Sequence, residues 1–338
     1  MRALVTGGTG LLGSYLVERL LEQGHQVRAL ARRTSDISHL KTTGAEIVFG
    51  NVEDYDSLRP AVEGVDVVFH AAAKVTPGWG TWEEFENAIV KGTENLLRAS
   101  AEAGVSRFLY ISSGSIYGKN CWGDKCADES TPCELPPLSS DTYYDHAKLQ
   151  AEKVALDYYK QGKLKVTVVR PGMIYGPRDR LHTDRVYRHM AMMRPLVVWP
   201  GKSNPWSAHV FVTDVADFAI LAATSDRAVG QVYNVAPPNA DRFRDYANAM
   251  IRAQGGPRLQ LTIPYALGYV WCVLIEGWAR LRRAKELPYL TRSGLRFLNK
   301  GMFINGSKAR RELGWEPKVS MEEGNRLYVQ WRRSREKK

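Results

Sequence analysis

Tyr144 and Lys148 stand four residues apart in Asp141-Thr142-Tyr143-Tyr144-Asp145-His146-Ala147-Lys148, so a helix here places both on one face. A free phenol ionises near pH ~10, too high for proton transfer at neutrality, and a neighbouring ammonium favours the phenolate and lowers that value. Tyr143 has Ala147 at the same spacing and lacks this partner, which makes Tyr144 the acid/base candidate. The spacing recurs by chance in many helices. It gains weight from Ser112, Ser113 and Ser115, which follow the apolar run Leu109-Tyr110-Ile111. Hydroxyls just beyond the C-terminal end of a parallel strand lie where such sheets bind ligands. One of them can bond the substrate oxygen that Tyr144 protonates or deprotonates, while the others fit turn chemistry.

The second constellation is Gly7-Gly8-Thr9-Gly10-Leu11-Leu12-Gly13, directly after the first apolar run and at the start of an amphipathic one. Gly8, Gly10 and Gly13 meet the G-x-G-x-x-G spacing, and Gly7, Gly10 and Gly13 meet G-x-x-G-x-x-G. Such a turn lets the backbone approach a pyrophosphate, and the helix N-terminus offers it free N–H groups and a positive dipole end. Thr9, Gly10, Leu11 and Leu12 therefore join the cofactor-contacting set. An acid at the end of the second strand is the usual partner of a ribose 2′-OH. Here Val27–Ala31 is followed by Arg32 and Arg33, and a guanidinium suits a 2′-phosphate in charge and bidentate geometry. The cofactor expected is NADP(H), with Arg32 the main contact and Arg33 the second; a solvated basic loop is the alternative. An oxidised nicotinamide adds to the charges that favour Tyr144 phenolate.

These residues need a scaffold. Short apolar runs at Ala3–Thr6, Val27–Ala31, Ile47–Phe49, Val65–His70, Phe108–Ser112 and Val166–Arg170 alternate with helical stretches at Leu11–Gln23, Ser57–Glu63, Trp82–Ala103 and Thr142–Gln161. That alternation predicts an α/β fold with a doubly wound parallel sheet covered on both faces. After Arg170 the pattern loosens, punctuated by Pro171, Pro177, Pro195, Pro200, Pro205, Pro237 and Pro238, and one late strand, Gln231–Ala236, returns. The domains expected are 1–170 plus about 210–237 for the dinucleotide, and about 171–209 plus 238–330 as a smaller, discontinuous C-terminal substrate lobe, with 331–338 a charged tail that frays.

With 338 residues, 44% hydrophobic and 25% charged, the chain is of ordinary globular composition; disorder and disulfide scaffolds are excluded. It opens on Met1 and reaches the Gly-rich turn by Gly7, which leaves no room for a leader. Its longest apolar stretch, Ile263–Ile275, is broken by Pro264 and Gly268 and is shorter than the ~20 residues of a spanning helix. The expected address is cytoplasmic. Cys121, Cys126 and Cys133 lie in one loop without C-x-x-C spacing, so no metal is expected and the loop is read as a cover with free thiols.

The motifs together resemble the extended short-chain dehydrogenase/reductase family, which includes nucleotide-sugar epimerases and dehydratases, 3β-hydroxysteroid dehydrogenases and dihydroflavonol-type reductases. The resemblance rests on Gly7–Gly13, Phe69-His70-Ala71-Ala72-Ala73, Gly92–Leu97, Ser113 with Tyr117-Gly118, Tyr144/Lys148, Arg170–Pro177, Val212–Ala216 and Ser307–Trp315. It implies a Rossmann sheet, Ser113 as the substrate-orienting hydroxyl, Tyr144 as acid/base, and Lys148 as the residue that holds the nicotinamide ribose. It also implies that Ala71, Ala72 and Ala73, and Pro171, Met173 and Ile174, line the cofactor, and that Asn51 and Val52 lie at the adenine. It further implies a homodimer paired through Trp82–Ala103 and Thr142–Gln161. Two positions depart from the family. Ile89 replaces a common Asn, and Asn51 stands where an Asp often contacts the adenine.

Lys74–Phe85 and Pro288–Arg292 resemble 3β-hydroxysteroid dehydrogenase-like reductases, and Trp199, Trp206, Trp271 and Trp278 suit a bulky apolar substrate or simply fill a core. The expected reaction is ketone–alcohol interconversion on a steroid-, lipid- or flavonoid-like molecule. A nucleotide-sugar epimerase or dehydratase is the alternative, and a non-catalytic redox sensor a third reading. The net charge is +11, yet residues 241–338 hold 21 Lys and Arg against 9 Asp and Glu, so the excess is local. No nucleic-acid motif accompanies it. The apolar run Ile263–Leu281, followed by Arg282, Arg283 and Lys285, suggests either a weak peripheral membrane contact over 263–285 or a basic rim for an anionic substrate; a lobe helix with a solvated basic end is the plainer reading.

Overall fold

The computed structural model describes residues 1–75, 80–201, 204–237, 241–256, 258–282 and 290–336. Outside them lie Pro77 and Trp79 of the Lys74–Phe85 stretch, Pro238, Arg283, Lys285, Pro288 and Tyr289, and the last two lysines.

Seven strands form one parallel sheet: β1 (Arg2–Thr6), β2 (Gln26–Ala31), β3 (Glu46–Phe49), β4 (Val67–His70), β5 (Arg107–Ile111), β6 (Val166–Pro171) and β7 (Val232–Val235), in the order β7-β6-β5-β4-β1-β2-β3. The apolar strands fill both faces because alternate residues point opposite ways. Ala3 and Val5 enter one core with Leu109 and Ile111, while Leu4 enters the other with Phe108 and Tyr110. Helix α1 (Leu11–Glu22) and the later 212–224 helix pack together on the first face. On the second lie α2 (Tyr55–Val62), α3 (Gly92–Glu102) and α4 (Tyr143–Lys160). The strand order reverses beside β1, where ligands bind in such sheets.

The stretch expected as one helix over Trp82–Ala103 is three joined pieces. A turn at Trp82–Phe85 is capped reciprocally by Thr81 and Glu84, a π-helical segment spans Glu86–Lys91, and α3 follows.

After β6 the chain leaves the sheet, runs through the helix His182–Met192, comes back through the 212–224 helix to β7, and leaves again. The outer part pairs Leu196–Pro200 with Leu259–Ile263 in parallel and adds the helices Phe243–Ala253, Tyr265–Leu281, Arg292–Lys300, Ser307–Leu313 and Met321–Glu336. The tail does not fray over its described part, since the last helix runs to Glu336. Arg332 pairs with Asp184 at 3.2 Å and Arg333 donates to the Gln254 carbonyl at 3.0 Å, while Arg335 and Glu336 stay exposed.

Helix Tyr265–Leu281 is inverted relative to a core-facing helix. Gly268, Cys272 and Ala279 are buried, whereas Leu267, Val270, Trp271, Leu274, Trp278 and Leu281 are 54–84% exposed. A Cβ at Gly268 would meet the Pro200 side chain at 2.5 Å, so only a small residue lets the helix dock. Trp271 and Trp278 therefore neither fill the lobe's core nor line an interior pocket. Trp199 is buried, and Trp206 stacks on Phe303 at 4.7 Å. Among the described residues no helix is long and apolar enough to cross a membrane.

Candidate functional site

The Gly-rich turn joins β1 to α1. Gly10 N–H donates to the Gly7 carbonyl at 2.8 Å, closing the turn. A Cβ at Gly13 would lie 2.1 Å from the Gly7 oxygen, and one at Gly7 (φ +71°) would lie 2.8 Å from Ala72 N, so backbone occupies the space that side chains would need. The first turn of α1 carries no side-chain cap and no acidic residue, which leaves its N–H groups and dipole for an anion. Thr9 and Gly10 are exposed and Leu11 half-buried, whereas Leu12 is buried in the core, so Leu12 has only its backbone to offer. Arg32 and Arg33 are exposed at the end of β2, Arg33 over the Phe49 ring at 5.4 Å. Asn51 is half-buried and Val52 buried beyond β3. A dinucleotide fits this cradle: the turn and α1 would hold its phosphates, Arg32 and Arg33 a 2′-phosphate.

Ala71, Ala72 and Ala73 follow β4, and Ala72 is tied by an ordered chain of hydrogen bonds. Thr93 Oγ1 donates to the Ile89 carbonyl at 2.6 Å, so it must accept from His70 Nε2 at 3.0 Å. His70 Nδ1 then accepts from Thr6 Oγ1 at 2.7 Å, and Thr6 Oγ1 accepts from Ala72 N–H at 3.2 Å. The chain requires a neutral imidazole, and burial, together with the Lys148 charge, pushes His70 down to about 3. Asn95 Nδ2 adds a bond to the Val52 carbonyl at 3.0 Å. Ile89, at the family's usual Asn position, is fully buried inside the π-helical segment. It can supply no side-chain bond; only its carbonyl takes part.

Tyr144, Lys148 and Ser113 converge beside β5. Tyr144 is half-buried and lies beside Ser113. Lys148 is buried and donates to the Ile111 carbonyl at 2.6 Å, lying 4.9 Å from the Tyr110 ring centre. The expected lowering of the Tyr144 phenol by Lys148 is not what the geometry gives. Burial, helped by the Asp145 charge, raises Tyr144, and the nearby Ser113 hydroxyl opposes it. Burial also lowers Lys148 to about 7, against the raising effect of Glu152. Desolvation outweighs the pair because the ammonium is committed to a backbone carbonyl. Met173 and Ile174 sit half-buried in a short strand paired with His209–Phe211, just after buried Pro171.

Residues without an expected role hold this geometry. Arg170 forms a buried two-point pair with Glu152, one helical turn after Lys148, and donates to Tyr117 Oη at 2.7 Å. Tyr117 donates to Asn234 Oδ1 at 2.8 Å, and Glu129 accepts the Asn234 N–H at 2.7 Å. The network ties α4 to β6, β7 and the loop after β5. Arg170 and Tyr117 stand in recognised motifs; Glu152, Asn234 and Glu129 carried no sequence signal. The three-cysteine loop is pinned to 300–305 by Phe303 N–H to Cys121 O at 2.8 Å and Ala127 N–H to Phe303 O at 3.0 Å. All four cysteines are free thiols. His146 Nε2 meets the Pro136 carbonyl at 2.8 Å and fixes the end of that loop.

A doubly wound parallel sheet, a phosphate cradle at its first turn and a Tyr/Lys pair beside its fifth strand define a dinucleotide-dependent oxidoreductase of the extended short-chain dehydrogenase/reductase type. The NAD dependent epimerase/dehydratase family matches residues 3–236, and the chain belongs to that family. It is 30% identical over 330 residues to a 2-alkyl-3-oxoalkanoate reductase of Stenotrophomonas maltophilia, covering 96% of this chain and 98% of the relative. It is also 30% identical to a 3 beta-hydroxysteroid dehydrogenase/Delta 5-->4-isomerase of Mycobacterium tuberculosis, covering 94% and 86%. Among solved structures, MoeE5 in complex with UDP-glucose and NAD superposes with a TM-score of 0.74 at 26% identity, covering 99% of each chain.

Proposed function

We propose that this enzyme interconverts a ketone and a secondary alcohol on a bulky apolar substrate of steroid, lipid or flavonoid type, using NADP(H), with NAD(H) the alternative. The observation that carries the reading is the placement of Tyr144 beside Ser113 at the end of β5, with Lys148 bonded to the Ile111 carbonyl. In the reading, Tyr144 gives its proton to the ketone oxygen, Ser113 orients that oxygen, and Lys148 holds the nicotinamide ribose. A reduced nicotinamide supplies the hydride. The reductase and steroid dehydrogenase relatives support the substrate class, and Arg32 with Arg33 supports the 2′-phosphate. The UDP-glucose-bound neighbour favours the second reading, a nucleotide-sugar epimerase or dehydratase. Incubation with ketones and external NADPH separates them: a reductase consumes the reduced nicotinamide stoichiometrically, an epimerase does not. Tyr144→Phe should abolish turnover while the protein still folds and binds cofactor; near-normal turnover would overturn the assignment.

Two further parts of the reading concern partners. The proposed homodimer pairs the stretches Trp82–Ala103 and Thr142–Gln161 between copies. The outward apolar face of Tyr265–Leu281 is proposed to rest on an anionic lipid surface of the cytoplasm's bounding membrane. Two tryptophans sit in that face, and Arg280 and Arg282 stand exposed at its end, Arg282 over Trp278 at 4.1 Å. Aromatic and aliphatic residues flanked by arginines are the composition of an interfacial helix.

A further inference from the structure

Among the described residues, Arg178 is the one non-glycine with positive φ, at +74°. A side chain strains the backbone there, and such strain persists only where the surroundings fix it. Three contacts fix it here. The guanidinium makes a two-point pair with Glu18, Nη1 donating to Oε1 at 2.8 Å and Nη2 to Oε2 at 2.6 Å. It lies over the Tyr15 ring, 3.7 Å from the centre, and Tyr15 Oη donates to the Pro177 carbonyl at 3.3 Å. It also meets His39 Nε2, which stands 2.9 Å from Glu18 Oε1. The Arg178–Glu18 pair is 19% and 29% exposed, so it is screened less than a surface bridge.

These partners belong to three segments far apart in sequence. Tyr15 and Glu18 lie on α1, whose first turn carries the uncapped N–H groups of the phosphate cradle. His39 ends the segment that begins with Arg32 and Arg33, and its neighbour Leu40 is buried against Gly8, where a Cβ would lie 3.6 Å from Leu40 Cδ2. Arg178 follows Met173 and Ile174. Next to it, Asp179 accepts the N–H groups of Leu181 at 2.8 Å, His182 at 3.3 Å and Thr183 at 2.7 Å, at the start of the helix His182–Met192. Asp179 thus fixes Arg178 to the outer lobe, and Arg178 fixes that lobe to α1. Arg180 faces Asp36 at 3.8 Å, but both are largely exposed and such a pair adds little.

We propose that Arg178 is a positioning residue that latches together the segments at the two ends of the dinucleotide, so that cofactor leaves when this latch opens. This rests on the reading in which the Gly-rich turn holds the phosphates, Arg32 and Arg33 the adenosine end, and Met173 and Ile174 the nicotinamide end. Without Arg178, Glu18 and His39 still face each other at 2.9 Å, so the adenosine side keeps its shape. What is lost is the link to the nicotinamide side. A ligand that spans both sides feels that loss, and one confined to the adenosine side does not.

The test uses the whole protein with NADPH and with adenosine 2′,5′-bisphosphate, which carries the 2′-phosphate but no nicotinamide. Stopped-flow fluorescence after an NADP+ chase reads NADPH dissociation, and calorimetry reads bisphosphate binding. Arg178→Gly removes the side chain and suits the positive φ, so the backbone gains no strain. NADPH should then leave at least about tenfold faster, as expected for a lost two-point charged bond. The bisphosphate Kd should change by less than about threefold. Arg178→Lys keeps the charge without the fork and should recover part of the loss, and Glu18→Gln should give a smaller increase of the same kind. Parent-like NADPH dissociation in Arg178→Gly would overturn the proposal. So would equal weakening of both ligands, the mark of a residue that only shapes the adenosine pocket. If Arg178→Gly does not fold, Glu18→Gln decides by the same comparison. If the parent takes NADH instead, NADH and adenosine 5′-monophosphate replace the two ligands. A parent that binds neither dinucleotide would remove the reading on which the latch stands, and the proposal with it.

Discussion

Removing the charge of Glu152 tests what holds the site in place. Its carboxylate and the Arg170 guanidinium are 3% and 8% exposed, and each provides the other's main compensation for leaving water. Breaking such a pair from one side costs about 3–5 kcal/mol, because a buried charge is left unpaired. Glu152→Gln keeps the volume and one oxygen that can accept from Arg170, so the lower end applies, about 3 kcal/mol. At roughly 2–4 °C per kcal/mol, the unfolding midpoint should drop by roughly 6–12 °C. Replacing both partners, Glu152→Leu with Arg170→Met, should recover most of that loss, since the uncompensated charge is gone.

The same substitution has a functional arm. Glu152 raises Lys148, which burial has already lowered to about 7. Without that carboxylate Lys148 falls further, and a larger fraction of the enzyme carries a neutral amine at neutral pH. Any rate limb owned by Lys148 should therefore move toward acid. Thermal unfolding followed by circular dichroism, and the pH profile of NADPH-dependent ketone reduction, read the two arms. A midpoint within about 2 °C of the parent would show that the pair is not the anchor argued here; an unmoved profile would show that Glu152 does not act on Lys148.

Gly13→Ala should unfold the turn or abolish dinucleotide binding, since the added Cβ falls 2.1 Å from the Gly7 oxygen; cofactor binding by fluorescence reads this, and parent-like affinity would refute it. Arg32→Ala should weaken NADPH by about tenfold or more while leaving NADH nearly unchanged, one lost charge-assisted pair being worth ~1.5–3 kcal/mol; equal weakening of both would remove the 2′-phosphate role. Asp145 is raised from 3.8 to about 7, so the native state binds the extra proton between those values and stability declines as pH rises through that window. Asp145→Asn should accordingly be more stable than the parent at about pH 8, the gain shrinking toward pH ~4; a gain that grows with acid in urea titrations would reverse the sign. Vesicles of phosphatidylglycerol should float the protein at low salt and phosphatidylcholine vesicles should not, with Trp271→Ser/Trp278→Ser losing the binding; no flotation, or self-association instead, would end the lipid reading.

The sheet was legible because its signals are local. Alternating buried runs and helical stretches located β1 to β6 within two residues, and the Gly spacing placed the cradle because Gly7, Gly10 and Gly13 must approach backbone. Spacing and position after a strand pointed to Tyr144, Lys148 and the group Ser112, Ser113 and Ser115, from which the family resemblance singled out Ser113. What stayed hidden depends on partners distant in sequence. Nothing near Glu152 announces Arg170, and nothing in the tail announces that Arg332 and Arg333 meet Asp184 and the Gln254 carbonyl far upstream. The Tyr265–Leu281 helix is apolar nearly all round, so composition alone does not say which face looks out; the small residues Gly268, Cys272 and Ala279 decide it, by being the ones that fit against the body.

The proposed acid–base site shows the same limit in its sharpest form. From spacing alone, an ammonium four residues from a phenol promises a lowered Tyr144. The folded chain instead sends that ammonium to the Ile111 carbonyl, burying Lys148 and half-burying Tyr144 and Asp145, so desolvation sets the sign for each: Tyr144 up, Lys148 down, Asp145 up. Each is pushed toward its neutral form. On this argument the lowered Lys148 and the raised Asp145 are two consequences of one burial, and opening that pocket to water should move both back toward their ordinary values together.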